Sequence, residues 1–196
     1  YIIDLFDGFA KTFEDSLTKK LSYNVPYLIK EQVLQDCNYN NSSHIIDLGC
    51  GTGLVGKELF GLVNKIEGID LSSSMLYEAQ RKGVYNQLTK ADINDYLSKE
   101  YLNFDYFIAA DVFIYIGDIS MIFEIIKRKN KKNGKFIFST EIFDGEDFKL
   151  ERSGRFSHSH DYIKKLCNIY DYNLDDFRKI KLRKENNDFI TGGLYK

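Results

Sequence analysis

Three glycines at two-residue spacing, Gly49, Gly51 and Gly53, follow directly on a short apolar run that carries one carboxylate, His44-Ile-Ile-Asp47-Leu48. Such a run, β-branched and bounded by Asn/Ser before and glycine after, predicts a strand buried on both faces. The glycines permit a tight turn and remove Cβ atoms where a ligand must approach the backbone, and Leu54 to Phe60 resumes at helical spacing. Strand, loop and helix N-terminus bring free N–H groups and a positive dipole end to one spot, which in general receives a phosphate. Two features weigh against a dinucleotide. Its fingerprint requires a glycine where this chain has Leu54. Asp47, two residues ahead of the first glycine, would repel a diphosphate and attract a cation.

S-adenosylmethionine carries an ammonium and a sulfonium and so suits Asp47 and the small residues of the loop. The string Asp47-Leu-Gly-Cys-Gly-Thr-Gly53 resembles the first motif of the class I S-adenosylmethionine-dependent methyltransferases. A second acid, Asp70, closes the apolar run Lys65 to Asp70 at the separation where a Rossmann-like pattern binds ribose hydroxyls. Leu71 and Met75 then fall beside the adenine, and Ser72 is placed to cap the following helix. In the resembling family an acid after the third strand bonds the adenine amino group. Asp92 occupies that place, although an aspartate there equally suits a helix N-cap. The expected cofactor set is Asp47, Gly49, Cys50, Gly51, Thr52, Gly53, Asp70, Leu71, Met75, Asp92, Ile93 and Ala110.

Acceptor chemistry is expected at the carboxyl end of the fourth strand, Ala109-Ala-Asp-Val-Phe-Ile-Tyr-Ile-Gly-Asp118. The Asn/Asp-Pro-Pro-aromatic string with which adenine and glutamine methyltransferases clamp a planar amine is absent there. Asp111 is a candidate base and Tyr115 a candidate substrate contact; their bland alternatives are a helix cap and packing. Further on, Ser153-Gly-Arg-Phe-Ser-His-Ser159 gathers Arg155 and His158. Together with Leu5-Phe-Asp-Gly-Phe-Ala10, Leu21-Ser-Tyr23 and Leu182-Arg-Lys-Glu185, this string resembles a methyltransferase subgroup associated with tetratricopeptide repeats. Phe156 stands where that subgroup usually has tyrosine, and Asn187 and Thr191 also depart from it. The similarity implies Arg155 and His158 on the substrate side, Arg to clamp an anion and His to bind substrate or take a proton. Arg155 paired with a surface acid and His158 capping a helix is the alternative.

The elements that must position these groups follow from the pattern. Residues 1–40 show apolar residues at helical spacing with Pro26 near a helix start, predicting a helical cap from which Phe9, Phe13 or Tyr23 can contribute a lid. Residues 41–196 alternate strand and helix and end in a charged hairpin, so the chain reads as one methyltransferase domain. The expectation is an α/β, three-layer, Rossmann-like seven-stranded sheet of order 3-2-1-4-5-7-6 with the last strand antiparallel. Net charge of −2 without a basic block argues against nucleic acid, and no apolar run approaches a membrane span. Three cysteines without ligand spacing indicate neither disulfides nor a metal. A cytoplasmic enzyme acting on a small-molecule acceptor is expected. The chain opens on Tyr1 and contains no helical repeat, so any upstream repeat region lies outside it. The rival readings are a protein methyltransferase, a non-catalytic S-adenosylmethionine-binding module and, disfavoured by the glycine register and terminal hairpin, a nicotinamide dehydrogenase.

Overall fold

The computed structural model describes residues 23–99, 101–185 and 188–196. Helix α1 (Val25–Leu34) carries Pro26 in its first turn, where a missing N–H goes unnoticed. Its buried stripe is Val25, Ile29 and Val33, one residue per turn, while Tyr27 and Leu34 lie off that stripe and are exposed. The expected lid residues Phe9 and Phe13 fall outside the described residues.

Five strands then alternate with helices: β1 (His44–Leu48), α2 (Leu54–Leu59), β2 (Lys65–Asp70), α3 (Ser73–Lys82), β3 (Gln87–Lys90), α4 (Ile93–Leu97), β4 (Tyr106–Ala109), α5 (Ser120–Lys129) and β5 (Lys135–Ile142). A 3-10 turn, Phe113–Tyr115, lies between β4 and α5. The five strands are parallel in the order β3-β2-β1-β4-β5. The chain continues through β6 (Phe148–Leu150), β7 (Phe156–His158), α6 (His160–Ile169), β8 (Phe177–Glu185) and β9 (Asp188–Tyr195). Strand β9 runs antiparallel on β5 and carries β8 on its far side, giving the main order 3-2-1-4-5-9-8. Here β8 and β9 are the expected sixth and seventh strands.

The hairpin β6–β7 is an addition that the sequence reading did not anticipate. Its β7 pairs parallel with the last residues of β5, Glu141 with Ser157 and Ile142 with His158. Strand β9 covers the same flank of β5 only from Phe138 to Glu141.

Alternation along the strands sorts side chains into two cores. Ile46, Leu48, Phe107, Ala109, Phe136 and Phe138 share a cluster with residues of α4, α5 and α6. Ile45, Ile66, Tyr106, Ile108 and Ile137 join α1 and α2 on the other face. Each fully buried Ile, Leu or Phe contributes roughly 1.5–3 kcal/mol, so these layers fix the carboxyl ends of β1, β2, β4 and β5 side by side. The period places Asp47 on the face of Ile45.

Candidate active site

The glycine loop is built as its sequence demands. Gly49, Gly51 and Gly53 have φ of 69°, 52° and 89°, a region that L side chains rarely adopt. A Cβ on Gly49 would also come within 2.6 Å of Val112. The loop is tied to β2 by Cys50 N–H donating to the Ile69 carbonyl at 2.8 Å, and Gly53 serves as the N-cap of α2. Lys82 donates to the Thr52 carbonyl at 2.7 Å. Cys50 is buried and its thiol is pushed up by that burial.

Asp47 lies buried beneath this loop. Its Oδ2 accepts a 2.7 Å hydrogen bond from the Tyr85 hydroxyl, and Tyr85 Oη accepts in turn from Gly56 N–H at 3.1 Å. Burial pushes Asp47 up to about 7 against the effect of the Tyr85 bond, with the Asp70 charge adding to the rise. Asp47 Oδ1 and Thr52 Oγ1 are buried without a hydrogen-bond partner, which is costly unless a ligand or water supplies one. Tyr85 has no counterpart in the sequence reading. The available signals were Gly56 inside a helix and Gly68 inside a strand, positions where glycine weakens an element unless something packs closely.

Asp70 ends β2 as expected and organises the loop around it: Oδ2 accepts from Gly51 N–H at 2.9 Å and Oδ1 from Ser72 N–H at 2.8 Å. Ser72 caps α3, accepting from Met75 N–H at 3.1 Å. Leu71 is 40% exposed and open to a ligand, whereas Met75 is 1% exposed. That burial corrects the expectation of an adenine contact at Met75: in this arrangement it packs within the protein. Asp92 caps α4 through Oδ1, which accepts from Asn94 and Asp95 N–H, and Ile93 is buried behind it. Ala110 is partly exposed at the end of β4.

Beyond β4 the chain forms a charged cluster. Asp111 sits at φ 55°, a left-handed conformation that its neighbours must enforce. Its N–H donates to Ser139 Oγ at 2.9 Å, the Ser139 hydroxyl donates back to Oδ1 at 3.1 Å, and Arg183 Nη1 donates to Oδ2 at 3.0 Å. Arg183 Nη2 also bonds Glu141 on β5. Burial raises both Asp111 and Glu141, with Arg183 opposing. Asp111 thus caps no helix, correcting that alternative. Arg183 reaches inward because β8 slips register between Lys181 and Arg183, burying Leu182 and Arg183 in succession. Only the string Leu182-Arg-Lys-Glu185 had drawn attention to it.

Arg155 Nη1 bonds both oxygens of Glu185, at 3.0 and 3.3 Å, and also faces Tyr115, whose hydroxyl is raised by burial and lowered by that guanidinium. His158 does not join this group. It is 0% exposed, its Nε2 donates to the Gly117 carbonyl at 2.8 Å, and it stacks on Tyr162. Burial lowers its pKa. A sealed imidazole packing the hairpin onto the Gly117 turn is closed to an acceptor, which corrects the expectation that it binds substrate or acts as base. Ser159 rather than a histidine caps α6, accepting from Tyr162 N–H at 3.0 Å. The Tyr23 hydroxyl, ahead of α1, is raised chiefly by burial and then by the charge of Asp111, with Arg183 opposing and Asp47 adding to the rise. No group of His, Cys, Asp and Glu among the described residues can hold a metal ion.

Residues 39–181 match the family model described as a methyltransferase domain. The chain belongs to the class I S-adenosylmethionine-dependent methyltransferases. It is 30% identical over 163 residues to the biotin biosynthesis bifunctional protein BioHC of Saccharophagus degradans, covering 74% of this chain and 28% of that protein. It is 29% identical over 127 residues to a malonyl-[acyl-carrier protein] O-methyltransferase of Legionella pneumophila, covering 61% of this chain and 44% of that one. The match therefore spans less than half the length of these curated relatives. Among solved structures, magnesium protoporphyrin IX methyltransferase of Synechocystis PCC 6803 with bound S-adenosylmethionine superposes with a TM-score of 0.65 at 16% identity, covering 88% of this chain and 77% of that one. The methyltransferase's own residues fit the family's cofactor. Three glycines at positive φ give the loop close backbone approach, Asp47 Oδ1 and Thr52 Oγ1 are buried without a partner, and Leu71 is exposed just after Asp70.

Proposed function

We propose that this domain transfers a methyl group from S-adenosylmethionine to a small-molecule acceptor, with Asp47, the loop Gly49–Gly53, Asp70, Leu71, Asp92 and Ala110 on the cofactor side and Asp111, Tyr115 and Arg155 toward the acceptor. The observation that carries this reading is the packing of Val112 on Gly49, where an added Cβ would fall 2.6 Å from the Val112 side chain, so the glycine loop and the segment after β4 border one space. When bound, the cofactor supplies a sulfonium methyl that is already electrophilic. The protein's task is then to orient a nucleophile and exclude water. Asp111 is committed to Arg183 and Ser139, and His158 is sealed, so neither stands free as a base. An acceptor that needs no proton removed, such as a carboxylate oxygen, suits this arrangement, and one relative carries the name of an O-methyltransferase. Arg155 beside Tyr115 would orient such a group by exchanging its bond to Glu185. To the same proposal belong a helical cap over residues 1–40, a cytoplasmic setting and an upstream helical-repeat region outside this chain, the last resting on the resemblance to the tetratricopeptide-associated subgroup.

Isothermal titration with S-adenosylmethionine, S-adenosylhomocysteine and NAD tests the cofactor side. Binding of both adenosyl ligands, weakened in Asp70→Ala, and no response to NAD are expected. A chain that binds neither adenosyl ligand overturns the proposal. Transfer of labelled methyl to candidate carboxylates, compared between the native chain and Arg155→Ala, then tests the acceptor side.

A further inference from the structure

Tyr85 lies just ahead of β3, 38 residues from Asp47, yet its ring occupies a slot that three glycines keep open. A Cβ on Gly53 would stand 2.9 Å from Tyr85 Cε2, one on Gly56 would stand 2.4 Å from Cζ, and one on Gly68 would stand 2.9 Å from Cε1. These glycines come from the loop, from α2 and from β2. Three elements have thus given up side chains at the place where one phenol passes to the underside of the glycine loop. Gly56 N–H, donating to Tyr85 Oη, orients that hydroxyl so that its own proton points at Asp47.

We infer that Tyr85 is a positioning residue for cofactor binding: by donating to Asp47 through this slot it favours the charged carboxylate beneath the loop and sets the pH range in which the cationic ligand is retained. This rests on the function proposed above.

The titratable groups of the described residues that face Asp47 are Tyr85 before β3, Asp70 at the end of β2, Cys50 in the loop and Tyr23 ahead of α1. All four are acids, and the cation nearest in the loop's own contacts, Lys82 of α3, is engaged with the Thr52 carbonyl. The Tyr85 hydroxyl is therefore the donor that favours the charged form of Asp47, and Oδ1 remains for the ligand's positive end. An arriving ammonium or sulfonium favours ionised Asp47, so affinity rises with pH and levels off once the carboxylate is fully charged.

The test is the dissociation constant of S-adenosylhomocysteine between pH 6 and 9 for the native chain, Tyr85→Phe and Asp47→Asn, with circular dichroism confirming that each is folded. Phenylalanine keeps the ring in its slot and removes the donor. The expected result is a midpoint about one pH unit higher in Tyr85→Phe, affinity at neutral pH weaker by about fivefold, and convergence with the native chain at pH 9. Asp47→Asn should lose the added pH dependence. Should Tyr85→Phe fail to fold, Gly68→Ala displaces the same ring and should move the midpoint in the same direction. A Tyr85→Phe profile with the native midpoint, or a native profile no steeper than that of Asp47→Asn, overturns the inference and leaves the proposed function standing. Absence of binding by the native chain at every pH overturns both.

Discussion

Replacing Arg183 with methionine should expose how strongly the post-β4 cluster depends on one guanidinium. The Arg183 side chain is 5% exposed and bridges Asp111 and Glu141, themselves 14% and 9% exposed. Without it, each carboxyl must stay charged in a poor solvent or take a proton. Protonation at pH 8 costs about 1.36 × (8 − 3.9), or ~5.6 kcal/mol, for an aspartate and ~5 kcal/mol for a glutamate; at pH 5 the figures are ~1.5 and ~1 kcal/mol. These are ceilings, since rearrangement and water entry offer cheaper routes, and removing one partner of a buried pair generally costs about 3–5 kcal/mol. We expect Arg183→Met to lose about 4 kcal/mol at pH 8 and about 2 kcal/mol at pH 5. The sign follows because burial, already raising both carboxyls, acts unopposed in the variant. The folded variant then binds more protons than the unfolded chain, and its stability falls as pH rises from about 4 toward the raised folded-state value. Urea unfolding followed by far-ultraviolet circular dichroism at the two pH values measures the difference, with Arg183→Lys expected between native and Met because one ammonium cannot span both acids bidentately. A loss under about 1 kcal/mol at pH 8, or equal losses at both pH values, would refute the reasoning.

Three further outcomes are expected. Asp70→Ala removes the acceptor of the Gly51 and Ser72 N–H groups, so S-adenosylhomocysteine affinity should fall by roughly thirtyfold, ~2 kcal/mol, alongside a lower melting temperature. Asp92→Ala should cost about 1 kcal/mol through loss of the α4 cap, while Asp92→Asn keeps the cap; a fall in ligand affinity in the Asn variant alone would isolate an adenine contact, and calorimetry with chemical denaturation reads both. Asp47, raised to about 7, binds a proton in the folded state that the unfolded chain has released, so native stability declines between about pH 4 and 7. Asp47→Asn should therefore be more stable than the native chain at pH 8, on the order of 2 kcal/mol, and lose that advantage at pH 5, as melting temperatures would show.

What could be read from the sequence was local. The glycine loop, Asp70 and the Ser72 and Asp92 caps each depend on residues within a few positions, or on the fixed length of one strand–helix–strand unit, and all appear where the spacing put them. The sheet order was legible through strand–helix alternation and the terminal hairpin. What escaped notice depends on distant partners: Tyr85 meets Asp47 across 38 residues and Arg183 meets Asp111 across 72. Neither has a periodic signature, and Arg183 points inward only through a register slip. His158 misled because a histidine near an arginine looks reactive, and nothing in the string reveals that Ser157 and His158 pair with β5 or that the Gly117 carbonyl meets its ring. Strands β6 and β7 are three residues each, too short for alternation to register.

The flank of β5 is divided between two owners, β9 up to Glu141 and β7 from Glu141 onward. For a lineage this is a seam. Strands β1 to β5 complete their ladder with β9, while the β6–β7 hairpin is attached by two residue pairs to β5, by the rings of Phe148 and Phe156 against Gly117, by His158 on the Gly117 carbonyl and by Arg155 on Glu185. The turn 151–155 between β6 and β7 can then change in length without shifting the register of β1 through β5. Under the function proposed above, Arg155 on the acceptor side lies across this seam from the glycine loop, so the seam is the natural cut for an engineer who wants to alter one side without the other.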